Sequence, residues 1–172
     1  MDRMAISADI LRNHLEYSAW ASQRLLDMAA GLSKEELTRD FQTADHSVLG
    51  TLVHVYAADR IWLARVTNAP PGPFLTDADY SLSVLVNDWP ALYDRWRKWA
   101  RPLTDAAAQE NVSYKDTKGN PYTQPLWQII LHVVNHGTHH RGQVSGFLRA
   151  LGYPPPALDL TAYFRAQAAA RA

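Results

Sequence analysis

The sequence predicts an all-α protein, a four-helix bundle with a long crossover between helices 2 and 3 and a short β-hairpin before helix 4. Four segments repeat apolar residues at steps of three and four, which is the spacing of one helix face. A connection of over a dozen residues separates the second segment from the third, and this length permits a crossover. A chain of 172 residues suits one domain, which we expect to cover residues 1–172.

The first two helices have clear start and stop signals. The first helix covers about residues 7–30, and Gly31 ends it. The segment LSKEEL follows, and Ser33 is a suitable N-cap for a short acidic turn there. The second helix covers about residues 47–67, with Ser47 as its N-cap. The sequence NAPPGP comes directly after it and must end the helix, because proline lacks a backbone N–H.

The third helix is predicted over about residues 81–109, with bends near Pro90 and Pro102. Three tryptophans recur on it near helical spacing and indicate core or a dimer surface rather than a cofactor site: Trp89, Trp96 and Trp99. The segment DRWRKWAR mixes basic and aromatic residues, as nucleic-acid-binding segments do. Because the cluster is isolated in a chain of zero net charge, a solvated helix face is the better interpretation.

A hairpin and the fourth helix follow. The segment NVSYKDTKGNPYTQ, residues 111–124, alternates around a Lys-Gly-Asn turn and predicts two short strands. The fourth helix covers about residues 124–151, with Pro125 in its first turn and Gly152 at its end. Three prolines come next, and we expect an extended stretch and one short helix after them.

Composition narrows the function classes. The 17 basic and 17 acidic residues balance, so no excess of charge favours binding to nucleic acid or to a membrane surface. Cysteine is absent, which excludes disulfides, thiolate metal ligands and a cysteine nucleophile from this sequence. No apolar run approaches membrane-spanning length, and the first residues do not resemble a signal peptide. We therefore expect a cytoplasmic protein with a small-molecule substrate, without a nucleic-acid or membrane partner.

Four of the seven histidines lie in LHVVNHGTHHRGQV, residues 131–144. With roughly 100° per residue, His140 falls among the apolar residues of the fourth helix and His136 falls near their edge. His132 lies on the flank, and His139 lies on the opposite side with Asn135. Side chains four positions apart on a helix are stacked, so His136 and His140 can hold one metal ion together.

Two ligands rarely suffice, and His54 on the second helix is the candidate for the third. Small residues share its face and leave space beside the ring. Asp59 lies on a different face from His54 and is a weak candidate for a ligand. The alternative is that the His136–His140 pair binds nothing and that His54 is a hydrogen-bonded core residue. Three inward histidines favour a metal site, because unpaired buried imidazoles would destabilise the fold.

The chain resembles the DinB-like family of metal-binding proteins over nearly its whole length. The resemblance lies in YSAWASQRLL, HVYAADRIWL, the run from the hairpin through VNHGTHHRGQV, and LGYPPPALDL. It implies a four-helix bundle, a homodimer and a divalent ion held by His54, His136 and His140. The family often has Y-N-x-W-A-N on its first helix, whereas this chain has Ser18 and Ser22 in place of both asparagines.

Three functions remain open from the sequence. Three imidazoles leave positions open on a zinc or nickel ion, which is typical of a reactive site; a structural site would need a fourth ligand, for which His132 or Asp59 are the candidates. Relatives of the family include transferases that use a low-molecular-weight thiol, so a thiol S-transferase is the leading hypothesis. Metal-dependent hydrolysis and a non-catalytic metal-binding stress sensor are the alternatives. Arg141 and Gln143 either contact substrate or hold the fourth helix to its neighbours.

Overall fold

A computed structural model of the protein describes residues 6–70, 72–73, 75–76 and 80–171. These described residues form seven helices and one two-stranded antiparallel sheet. In chain order the elements are α1 (Ala8–Ala29), α2 (Lys34–Thr38), α3 (Val48–Val66), α4 (Leu82–Ala100), α5 (Asp105–Ala108), β1 (Asn111–Lys115), β2 (Pro121–Pro125), α6 (Leu126–Ala150) and α7 (Leu160–Ala169). The predicted helical class is confirmed.

The four long helices pack against one another around a shared apolar core. Helix α3 lies against α6 and α4, and α1 also lies against α6 and α4. Trp89 and Trp96 on α4 are fully buried in this core, whereas Trp99 is half-buried at its edge. The first two tryptophans are therefore core residues and do not form a dimer surface.

Serine side chains cap the start of four helices, and two of these N-caps, Ser33 and Ser47, were predicted. Ser7, Ser47 and Ser81 each accept a hydrogen bond from a backbone N–H in the first turn of α1, α3 and α4. Ser33 forms a capping box with Glu36, in which each side chain bonds the backbone N–H of the other residue. These bonds satisfy donors that have no partner within the helix, which is why a serine marks each start.

The prediction of one bent helix over residues 81–109 is wrong at its end. Helix α4 stops at Ala100, and a separate turn of helix, α5, begins after Thr104. Pro90 is accommodated inside α4, but Pro102 ends the helix because its ring removes a hydrogen bond and crowds the preceding turn. Thr104 then takes an extended conformation and caps α5 through its side chain.

The hairpin is confirmed, and its turn depends on one aspartate and one glycine. The carboxylate of Asp116 accepts hydrogen bonds from the backbone of Lys118 and from both nitrogens of Asn120. Gly119 has φ +89°, a conformation that L side chains rarely adopt. Pro125 is the last residue of β2 and the N-cap of α6, one position before the first turn in which it was predicted.

The connection between α3 and α4 is described only in part, because residues 71, 74 and 77–79 lie outside the described residues. The predicted break at NAPPGP holds, since α3 ends at Val66 and Thr67 caps it.

At the C-terminal end of α6, Gly152 directly follows the cap residue Leu151 and takes φ +90°, as expected for a glycine that ends a helix. Within the described ranges, no helix has both the length and the apolarity needed to cross a bilayer.

Candidate metal centre

Three histidines from two helices meet where α3 packs against α6. His54 on α3 and His136 and His140 on α6 each offer a ring nitrogen, and these three atoms lie within 4.8 Å of one another. The Nε2 atoms of His54 and His136 are 3.1 Å apart. The centroid of the His140 ring is 4.4 Å from that of His54 and 4.5 Å from that of His136. This group could hold a metal ion, and it consists of the His136–His140 pair that helical spacing selected and of His54, the candidate for the third ligand.

Two residues that carry oxygen atoms contact the outer nitrogens of these rings. The Nδ1 of His140 lies 2.8 Å from Oε1 of Gln143, one turn further along α6. The carboxylate of Asp45 lies 3.4 Å from Nδ1 of His54 and 3.4 Å from Nδ1 of His140. An imidazole that donates from Nδ1 keeps its Nε2 lone pair free, so these contacts favour the tautomer that binds metal through Nε2.

The loop before α3 holds Asp45 close to the first turn of that helix. His46 has a positive φ of 60°, and the N–H of Ser47 donates to the carbonyl oxygen of Asp45 at 2.7 Å. A Cβ on Gly50 would lie 2.1 Å from that same oxygen, so only glycine permits this approach. Sequence reasoning missed Asp45. The available signal was a carboxylate nine positions before His54 and two positions before the N-cap Ser47, but spacing alone does not place a loop residue.

The nitrogen set fits a small divalent ion. Zinc binds imidazole nitrogen at about 2.0–2.1 Å, so two ligands in a tetrahedral site are separated by about 3.3 Å. The observed separation of 3.1 Å between Nε2 of His54 and Nε2 of His136 is close to this value. Burial lowers the pKa of His136 to about 4, and repulsion from His140 and His54 adds to this lowering. Burial also lowers the pKa of His140. Both rings are therefore neutral at neutral pH, which is the form that binds metal.

The three histidines lie at the edge of the core, and only His54 lines an opening, which differs from the inward position expected from helical spacing. All three residues are half-buried, and the side chain of His54 is 41% exposed. The exposed side of His54 faces a cleft of about 370 Å³ that Asp45 also lines. Because the cleft reaches one candidate ligand, a small molecule can approach the site from solvent.

The other histidines of α6 lie outside the group, as predicted. His132 packs edge-on against Trp62, with ring centroids 5.1 Å apart, and burial lowers its pKa. His139 is exposed and its ring touches only the outside of the cluster, at His140. Asn135 is also exposed. His132 can affect the site through His136, whose ring centroid lies 5.8 Å from its own.

Asp59 is a core residue and lies apart from the histidine group. Its carboxylate accepts hydrogen bonds from Trp89 Nε1 and from the Tyr93 hydroxyl, each at 2.9 Å. Burial raises the pKa of Asp59 to about 6, although the two hydrogen bonds and the charge of Arg141 oppose this. Burial and the nearby Asp59 carboxylate raise the pKa of Tyr93 as well. This position agrees with the prediction that Asp59 is only a weak candidate for a metal ligand.

Arg141 and the two serines of α1 form a buried contact between α6 and α1. The guanidinium donates to Ser18 Oγ at 3.0 Å, to Ser22 Oγ at 3.2 Å and to Thr138 Oγ1 at 3.2 Å. A Cβ on Gly137 would lie 2.7 Å from its Nη1, so a glycine one turn earlier makes room for the guanidinium. Of the two roles left open for Arg141, holding the helix to its neighbours is the one observed. Gln143, in contrast, contacts the histidine group through the Nδ1 atom of His140.

Three comparisons relate this chain to known proteins. The model of the DinB family matches residues 4–171. Protein DinB of Bacillus subtilis (strain 168) is 26% identical over 160 residues, which is 86% of this chain and 90% of that protein. The crystal structure of a DinB-like protein from Bacillus cereus ATCC 10987 has the same fold, with a TM-score of 0.60 at 21% identity, over 90% of this chain and 99% of that one. The chain belongs to the DinB family.

Proposed function

We propose that this protein is a metal-dependent enzyme that transfers a low-molecular-weight thiol to a small electrophile. His54, His136 and His140 hold a zinc or nickel ion in this proposal. The chain acts as one domain, a four-helix bundle of the DinB type, in the cytoplasm. The observation that carries the proposal is the donor set: three imidazole nitrogens within 4.8 Å of one another, beside a cleft open to solvent. Three protein ligands leave a position free, as in catalytic zinc sites.

A bound zinc or nickel ion would lower the pKa of a thiol and so make the nucleophilic thiolate available near neutral pH. The residues of the chain supply the remaining parts of the reaction. Asp45 and Gln143 fix the orientation of the His54 and His140 rings through their Nδ1 atoms. The cleft beside His54 admits the electrophile. The thiol releases its proton to solvent, its sulfur bonds to the electrophilic carbon, and the leaving group departs with its bonding electron pair.

Cobalt substitution tests whether an external sulfur reaches the site. With Co²⁺ in place of the native ion, addition of glutathione, cysteine or a sugar-based bacterial thiol should produce an intense near-ultraviolet charge-transfer band. Because thiolate formation releases a proton, the apparent affinity for the thiol should rise with pH below the pKa of the free thiol. The matching alcohol, serine in place of cysteine, is the control and should leave this region of the spectrum unchanged.

A spectrum that no thiol changes at millimolar concentration would contradict the transferase proposal. Hydrolysis by an activated water would then be the better candidate if the site still exchanges water. A site that binds metal but neither exchanges water nor turns over substrate would support the sensing role. Among the described residues, Asp45 is the carboxylate in contact with these rings, and it contacts them on the Nδ1 side rather than on the Nε2 side where hydrolysis would need a base.

We also propose a homodimer, which the DinB resemblance implies. Trp89 and Trp96 cannot supply its surface because they are buried. The candidate apolar contacts are exposed large side chains on three helices, namely Ile10 of α1, Val86 of α4 and Phe164 of α7. Light scattering should give about twice the 19.3 kDa mass of the chain. A monomer at tens of micromolar would contradict the proposal.

A further inference from the structure

The cleft beside the histidine group carries two arginines, which the histidine chemistry does not explain. Arg60 on α3 and Arg95 on α4 both line the cleft of about 370 Å³ that His54 reaches. This volume is at the lower end of the range for small-molecule sites, about 300–1,000 Å³. Both arginines therefore face the space that a substrate of the proposed enzyme would occupy.

Within the described residues, neither arginine has a carboxylate partner. The ion pairs found there join other groups, and Asp45, the single carboxylate among the described residues of the cleft wall, contacts His54 and His140. Arg60 is half-buried. Arg95 is exposed. Burying a cation without a counter-charge is unfavourable, so an anion that enters the cleft gains a charge-assisted contact with Arg60, and Arg95 adds a second positive charge to the same wall.

The Arg60 guanidinium lies over an aromatic ring of the same helix. Its Cζ lies 5.5 Å from the centroid of the Tyr56 ring, which is buried beneath it. The cleft wall between His54 and Arg60 is apolar, with Ala57 and Ile61 on the same helix. Six helical positions separate His54 from Arg60, a rise of about 9 Å. Along α3 the cleft thus has His54 at one end, an apolar middle and Arg60 at the other end, and Arg95 of α4 lines the same cleft.

We infer that the cleft binds a small molecule whose anionic group, a carboxylate or a phosphate, lies at Arg60 and Arg95 while its apolar body lies along α3. This inference rests on the proposed function, and it names the substrate class of that site. The bound molecule is oriented with its end opposite the anionic group toward His54. The arginines position and select the substrate and take no part in the bond changes.

Binding of three probes tests the inference: 3-phenylpropionate, phenyl phosphate and the neutral 3-phenylpropionamide. Calorimetry on the zinc-loaded protein and on the chelator-treated protein should show one of the two anions binding at least about ten-fold more tightly than the amide in both states. Whichever anion binds more tightly identifies the group. Arg60→Gln and Arg95→Gln should each weaken anion binding by about ten-fold and leave amide binding unchanged. Arg60→Lys, which keeps the charge, should retain more of the preference.

Lys98→Gln is the matched control, since it removes one positive charge from the exposed face of α4 and does not line the cleft. It should leave anion binding unaltered. A preference for the anions that is lost on chelator treatment and unchanged by both arginine substitutions would overturn the inference, because the anion would then bind the metal ion itself. The proposed metal site would still stand in that case. Equal affinity for the anions and the amide, or no binding of any probe at millimolar concentration, would overturn it as well.

Discussion

Alanine in place of His54, His136 or His140 should abolish stoichiometric zinc binding by the purified protein. Each of these residues contributes one of three nitrogens that lie within 4.8 Å of one another, so each variant leaves only two ligands. Two imidazoles bind zinc far more weakly than three, and we expect the affinity to fall by more than about 100-fold, beyond the usual effect of an outer contact. Metal analysis and a competition titration with a chelator, on protein without a histidine tag, measure this directly.

His139→Ala is the control for this experiment, because it removes an exposed imidazole next to His140 and should leave zinc binding nearly intact. His132→Ala should weaken binding only moderately, through its contact with His136. Asp45→Asn should keep the stoichiometry and lower the affinity by about 10–100-fold, because it removes the carboxylate behind two of the rings. Equal loss of metal in all the histidine variants would contradict the assignment.

The free energy of unfolding should depend on pH through Asp59. Burial raises the pKa of this carboxyl from its ordinary value of 3.8 to about 6 in the folded protein. The folded state therefore holds the proton more tightly than the unfolded chain does. The resulting stabilisation is present below about pH 4 and is lost as the pH rises toward 6, a change on the order of 3 kcal/mol. Tyr93 and Trp89 donate to the carboxylate, and Arg141 is the charged group whose field lowers its pKa.

Denaturant unfolding of the wild type and of Asp59→Asn, from pH 4 to pH 7 in the presence of a chelator, measures this contribution. The chelator removes the separate effect of metal release in acid. The stability of the wild type relative to Asp59→Asn should fall across this range, because asparagine does not titrate. Asp88→Asn is the control, since that side chain is exposed on the same helix as Trp89 and should give a small change. A difference between wild type and Asp59→Asn that is constant with pH would contradict the prediction.

Local chemistry in the sequence predicts most of the helix boundaries. Ser7, Ser33 and Ser47 mark helix starts because the capping bond closes within two or three residues. Helical spacing also pairs His136 with His140 and separates them from His139. The one large error, the helix predicted to run through Pro102, arose because a proline can bend or end a helix, and the residues around it do not show which.

The sequence alone therefore predicted the helical class, the hairpin and the three histidines that lie together in the structure. Tertiary structure decided the rest of the site: the carboxylate of Asp45 behind two rings, and the cleft that joins His54 to Arg60 and Arg95. It also decided the role of Arg141, whose partner Ser18 lies 123 positions away. The physical reason is the separation along the sequence between the residues in contact. A cap or a helix face depends on neighbours within one or two turns, whereas these contacts depend on which faces of several helices pack together.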